Sequence, residues 1–175
     1  MKNLLNVLVL IGLANFSFVQ INDVASIESE KYKSSASAVS SVNSEYLTKV
    51  NDRYNSDDFL ILEKRVSEYD ISRSGKYDGR TNTFAVRFVA TKGTIEAVYD
   101  ENGIVLSTLE KFKDVNLPVP VRHTAFKLYP DWQIIGNVYT VKYYRTKDVE
   151  KIYKLKLSKG NKKQTLLLDA SGNAL

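Results

Sequence analysis

The chain has 175 residues, 43% of them hydrophobic, with a net charge of +5, one histidine and no cysteine. That length supports one globular domain or two small, closely packed ones. The lack of thiols excludes disulfides, thiolate metal sites, cysteine nucleophiles and a lipid-modified cysteine.

Residues 1–20, "MKNLLNVLVLIGLANFSFVQ", combine Lys2, an apolar run from Leu4 to Leu13 and a polar, small-residue exit. The pattern predicts a secretory signal peptide, because the run is too short to span a bilayer. The expected location is therefore periplasmic or extracellular, with no transmembrane segment after signal removal. Residues 21–55 include the Ser-rich "SSASAVSSVNS" and read as a linker or poorly ordered arm. Within them "EYLTKVNDRYNS" fits either a short extended piece or a fragment of helix.

From Asp57 the pattern sharpens. Phe59, Leu62, Val66 and Tyr69 fall at i, i+3, i+7 and i+10, predicting a helix with Ser56 or Asp57 as its N-cap. "SGKYDGRTN" ends it. In "TFAVRFVA" Phe84, Val86 and Phe88 face one way while Ala85 and Arg87 face the other; "TKG" reverses the chain and "TIEAVYD" forms the partner strand. "DENG" follows as a turn in which aspartate bonds its own backbone and glycine accepts a positive φ. It lacks the alternating oxygen ligands and distal glutamate of a calcium loop. "LPVPVRHTAFKLYPDW" predicts a second helix, with Pro120 in its first turn, Pro130 as its stop, and Val121, Ala125, Leu128 and Trp132 as its buried stripe. "NVYTVKYY", "EKIYKLKL" and "KQTLLLD" are three further strands.

The closing "DASG" repeats the "DENG" layout 69 positions later. The same shift places Phe84, Val86 and Phe88 on Tyr153, Leu155 and Leu157, and Leu106 on Leu175. A D-x-x-G turn is common, but the matching apolar triplet points to duplication. The expected fold is therefore α+β, with two tandem helix-plus-antiparallel-strands units, residues 56–110 and 111–175, forming one sheet with helices packed on one face. "GNAL" then belongs to an edge strand.

The stretches "LEKRVSEYDI", "GTIEAVYDENGIVLSTLEKFKDVNLP", "VRHTAFKLYPDW" and "YKLKLSKGNKKQTLLLDASGNAL" resemble the small exported PepSY-like proteins, a group similar in fold to β-lactamase-inhibitory protein. The resemblance covers about residues 57–175. It implies a non-enzymatic extracytoplasmic module, some relatives of which are thought to bind or restrain secreted enzymes through a sheet surface. No inhibitor contact motif is matched, so no interface residue carries over.

Chemistry is sparse. His123, two residues after Val121, lies on a different helical face from that core position and is expected at or near the surface. No G-x-S-x-G, P-loop, G-x-G-x-x-G or metal-spaced His/Asp cluster occurs, so neither a cofactor nor a metal is expected. The acid pairs Asp57–Asp58 and Asp100–Glu101 fall at a helix start and a turn, where carboxylates serve the backbone.

Charge is uneven. Residues 21–120 hold 13 basic and 16 acidic side chains, a net of −3, whereas residues 121–175 hold 11 and 4, a net of +7. If Tyr153, Leu155 and Leu157 face the helices, Lys154 and Lys156 face away. If Tyr139, Val141 and Tyr143 do the same, Lys142 and Tyr144 are left outside, and Arg87 joins them. These five form the candidate binding face, suited to an acidic extracytoplasmic protein or a polyanionic glycan rather than to nucleic acid. The expected function is that of a binding or regulatory, inhibitor-like module. The alternative is a periplasmic carrier or sensor that holds a small ligand between helices and sheet, and an enzyme built on distant carboxylates ranks third.

Overall fold

The computed structural model describes residues 21, 23–26, 42–51, 57–80 and 82–175. The expected signal peptide and the candidate N-cap Ser56 lie outside them. Seven strands form one sheet in chain order: β1 (Asp23–Ser26), β2 (Thr83–Ala90), β3 (Gly93–Asp100), β4 (Val105–Lys113), β5 (Gln133–Tyr144), β6 (Glu150–Lys159) and β7 (Lys162–Asp169). β1 runs parallel to β2, and every other neighbouring pair is antiparallel. The helices are α1 (Ser44–Val50), α2 (Asp57–Ser67) and α3 (Val119–Leu128), with a single 3-10 turn at Ile71–Arg73.

Alternation along the strands builds one inner face. Phe84, Val86 and Phe88 of β2, Tyr139, Val141 and Tyr143 of β5, and Tyr153, Leu155 and Leu157 of β6 are all buried there. Phe59, Leu62 and Val66 of α2 close over them, as the helical spacing predicts. Phe59 stacks on Phe112 at 4.3 Å between centroids, Phe112 lies 6.3 Å from Tyr139, and Tyr139 stacks on Tyr153 at 4.5 Å. The rings thus run from α2 across β4 and β5 to β6. Each fully buried side chain of this kind contributes about 1.5–3 kcal/mol by leaving water. The buried hydroxyl of Tyr99 donates to the Val66 carbonyl at 2.8 Å and so joins β3 to the end of α2.

The expected pair of equivalent helix-plus-strands units is not what forms: the described residues make a single seven-stranded mixed sheet, mostly strand, with three α-helices. The register gives the reason. A shift of 69 relates the β2–β3 hairpin to the β6–β7 hairpin, so the two look-alike segments sit toward opposite sides of the sheet. Between them β4 pairs along Ser107–Lys113 with β5, and a unit boundary after Glu110 would cut through β4. Residues 21–55, which read as linker or arm, supply both β1 and α1, and neither has a counterpart later. The helical cover is also unequal. α1 packs on α2 and β5, and α2 on β2 and β3, while α3 meets β7. Of the stripe expected on α3, Val121 and Ala125 are buried, but Leu128 is 50% exposed at the helix end and Trp132 lies beyond it, half-buried.

The C-terminal tail turns back along β7, through a bridge between Ala174 and Leu168 and a bond from the Leu175 amide to the Leu167 carbonyl at 3.1 Å.

Candidate functional site

Among the described residues the helices pack on one face of the sheet and leave the second uncovered. Because successive side chains alternate, burial of the inner set puts Arg87, Lys142, Tyr144, Lys154 and Lys156 on this open face. The cross-strand register divides them. Arg87 lies opposite Glu96 and donates to its carboxylate through Nε at 3.1 Å and through Nη2. Lys142 lies opposite Glu150 and reaches it at 2.9 Å. Between these two pairs, in the same row, stands Leu109. Tyr144 is half-buried at the end of β5, with the Lys147 ammonium 5.3 Å from its ring centroid.

Lys154 and Lys156 are exposed on β6 and form no ion pair among the described residues. The structure adds cations that the sequence reading omitted. Lys111 and Lys113 of β4 are exposed on the same face, and Val138 is flanked by Lys113 on one side and Lys154 on the other. Lys163 of β7 lies one strand further, opposite Ser158. The two glutamates on this face are both engaged, and Asp100 and Asp169 turn into their own chain-reversing loops. The result is a face neutral across β2–β3 and cationic across β4, β6 and β7. Its apolar content includes Ile135, 53% exposed at a register shift in β5, and half-buried Val138, Ile152 and Leu167. His123 is exposed on α3, apart from these strands.

A second concentration of chemistry lies under α1. Glu110, on the inner face of β4, is fully buried; its Oε1 accepts from the Tyr46 hydroxyl at 2.9 Å and from Thr108 Oγ1 at 2.7 Å. Burial pushes its carboxyl up to about 7, against those two hydrogen bonds and the charge of Lys151, which favour the ionised form. Burial above all, then the charge of Glu110 and that of Glu63, which is buried on α2, drive the Tyr46 hydroxyl well above its ordinary range. α1 is further tied down by Lys151, whose Nζ donates to the Asn51 carbonyl at 3.2 Å, and by Lys49, which donates to the Arg145 carbonyl at 3.3 Å. No signal in the sequence marks Glu110: "STLEKFK" reads as a polar stretch until burial is known.

Among the described residues no cluster of three or more His, Asp or Glu is placed to hold a metal ion, and no helix is long and apolar enough to cross a membrane. No family model and no curated protein matches the chain. It is similar to the crystal structure of a DUF2874 family protein from Bacteroides ovatus, with 16% identity, 78% of this chain and 82% of that one covered, and a TM-score of 0.35.

Proposed function

We propose that the protein is an exported, non-enzymatic binding module whose open sheet face docks an acidic extracytoplasmic protein, in the manner of a regulator or inhibitor. The observation that carries this reading is the charge division of that face: its glutamates are already paired, while Lys111, Lys113, Lys154, Lys156 and Lys163 stand exposed beside apolar Val138 and Ile135. Unpaired lysines raise the encounter rate with an anionic surface, and aliphatic side chains between them supply area that excludes water. Arg87 and Lys142 serve the sheet first, since each is committed to a cross-strand glutamate. Export is supported by the pattern of residues 1–20, and the regulatory role by the resemblance to PepSY-like proteins.

The test is capture of partners from an envelope extract by the mature chain, with a variant carrying Lys113→Glu, Lys154→Glu and Lys156→Glu run in parallel. A partner retained at low salt, released by moderate salt and lost with the variant fits docking on this face. Retention that survives the reversal moves the interface elsewhere. Equal retention on an acidic glycan resin would indicate a polyanion in place of a protein.

A further inference from the structure

Short pieces of the chain flank the antiparallel strands β2–β7 on both sides, in different ways. The C-terminal tail reaches β7 through the turn Asp169–Gly172, so it is a local continuation of that strand. β1 lies beside β2 but is joined to α1 only through residues 27–43. It pairs in parallel over four residues, from Asp23 opposite Val86 to Ser26 opposite Val89. Its apolar hold is slight, since Val24 is 56% exposed and Ala25 is only partly buried against the core.

Beyond the main-chain pairing, the side chain that ties β1 down among the described residues is the carboxylate of Asp23. Asp23 Oδ2 accepts from the Tyr69 hydroxyl at 3.0 Å and from Ser74 Oγ at 2.8 Å, and its Oδ1 meets Lys76 Nζ at 3.2 Å. Oδ1 also accepts from the amide of Val24 at 2.8 Å, which turns the side chain along its own strand. The socket belongs to the body of the molecule. Tyr69 packs edge-on to Phe88 at 5.3 Å and lies 5.8 Å from the Tyr99 ring, while Ser74 and Lys76 follow the 3-10 turn, whose Asp70 side chain accepts from the Ser72 amide. Three donors from the segment that follows α2 thus converge on a single carboxylate at the edge of β2 that β1 occupies. Main-chain pairing supplies generic affinity for an extended peptide, and such a socket supplies selectivity.

We propose that the outer edge of β2, with Tyr69, Ser74 and Lys76, is a strand-docking site for an extended, aspartate-bearing peptide running parallel to β2, and that β1 is its resident occupant. A partner segment of this kind exchanges with β1 without disturbing the core, because β1 contributes so little to it. The site is separate from the cationic face across β4, β6 and β7.

The test uses the full chain with Asp23→Ala, which releases the resident strand, and a synthetic hexapeptide of sequence INDVAS, followed by amide chemical shifts. The variant binds the peptide with shifts confined to β2 and residues 69–76. An INNVAS peptide binds at least tenfold more weakly, and the unaltered chain, whose tethered strand competes, binds INDVAS at least tenfold more weakly than the variant does. Adding Lys76→Glu and Ser74→Ala to the variant removes the binding. Absence of shifts at millimolar peptide, or equal affinity for the two peptides, overturns the proposal. Hydrogen exchange on the unaltered chain makes the test independent of how the variant folds. A large excess of INDVAS must speed exchange of the amides at residues 24–26 while β3–β6 stay protected, and unchanged exchange there also overturns it.

Discussion

The turns Asp100–Gly103 and Asp169–Gly172 are the same object locally. In each, the aspartate amide donates to the carbonyl four residues on at 2.9 Å, the glycine amide donates to the aspartate carbonyl at 3.0 or 3.1 Å, and Oδ1 accepts from the amide four residues on at 2.8 Å. The glycine φ values are 77° and 85°. Each turn also lies at the start of a helix, but the two contacts are unlike. Gly103 presents its carbonyl to the buried side chain of Asn43, which precedes α1, while Gly172 is itself buried against the Pro120 carbonyl in the first turn of α3. One four-residue code thus supports two kinds of docking, a polar one made by a side chain and a steric one made by the missing Cβ. Local chemistry repeats; tertiary environment does not.

The largest effect expected from breaking this comparison is that of Gly172→Ala. A Cβ there would lie 2.7 Å from the Pro120 carbonyl oxygen and 2.8 Å from its carbon, and backbone cannot yield as a flexible side chain would. The positive φ adds roughly 1–2 kcal/mol for a residue with a Cβ, and displacing α3 adds roughly 1–3 kcal/mol. A loss of about 3–4 kcal/mol in urea unfolding, at unchanged denaturant slope, is the expected result. A loss under about 1 kcal/mol would mean that α3 shifts freely and that the steric docking is unimportant.

The helices differ electrically as well. α3 is held by apolar Val121 and Ala125, whereas α1 rests on buried Glu110 through Tyr46, with Glu63 of α2 and Lys151 of β6 as charged neighbours. The folded carboxyl of Glu110 is raised from 4.5 to about 7, so between those values the folded state holds a proton that the unfolded state has released. Its contribution is fully present below pH 4.5 and is lost as pH rises to about 7, to the extent of roughly 3 kcal/mol. Unfolding at pH 5 and pH 8 should show this fall in the unaltered chain and a flatter profile in Glu110→Gln, which keeps an acceptor for Tyr46 and Thr108. Equal slopes would place the pH dependence elsewhere.

Asn43→Ala comes next. Its Nδ2 donates to the carbonyls of Ser67 and Gly103, each at 3.1 Å, and its Oδ1 accepts from the Val105 amide at 2.8 Å. Truncation leaves a buried amide without its acceptor, a cost of about 2 kcal/mol. Hydrogen exchange at Val105 and through α1 should rise well above that through α3. Uniform exchange across both helices would show that α1 does not depend on this side chain.

These contrasts also explain which parts of the molecule the sequence made legible. Where an element buries apolar side chains at a clean period, as in α2 with Phe59, Leu62 and Val66 or β6 with Tyr153, Leu155 and Leu157, periodicity located it and its phase. β4 escaped because two inward positions are Thr108 and Glu110, so the stretch looks polar on both faces. α1 stayed open between helix fragment and extended piece because its seven residues bury only Tyr46 and Val50, and β1 escaped because its anchor is an aspartate whose partners lie 46 to 53 positions away. The D-x-x-G turn was legible in full, being local, but what it docks was not. Of the candidate face, the five residues read from the sequence do share one side of the sheet. Which of them were already taken by Glu96 and Glu150, and which lysines of β4 and β7 joined them, depended on strand register.

Gly103→Ala is the smallest expected effect and the control for the largest. Its φ is close to that of Gly172, so the intrinsic penalty for adding a Cβ is shared, but no atom lies within 4 Å of the position that Cβ would take. Only the left-handed backbone is strained, at about 1 kcal/mol. Gly103→Asn should cost less still, because asparagine tolerates this region through local hydrogen bonding. The difference between Gly172→Ala and Gly103→Ala, measured under the same conditions, therefore isolates the steric docking of α3 from the chemistry of the turn. If the two alanine variants lose the same stability, the turns are equivalent in environment as well as in form, and the contact with Pro120 carries no energy.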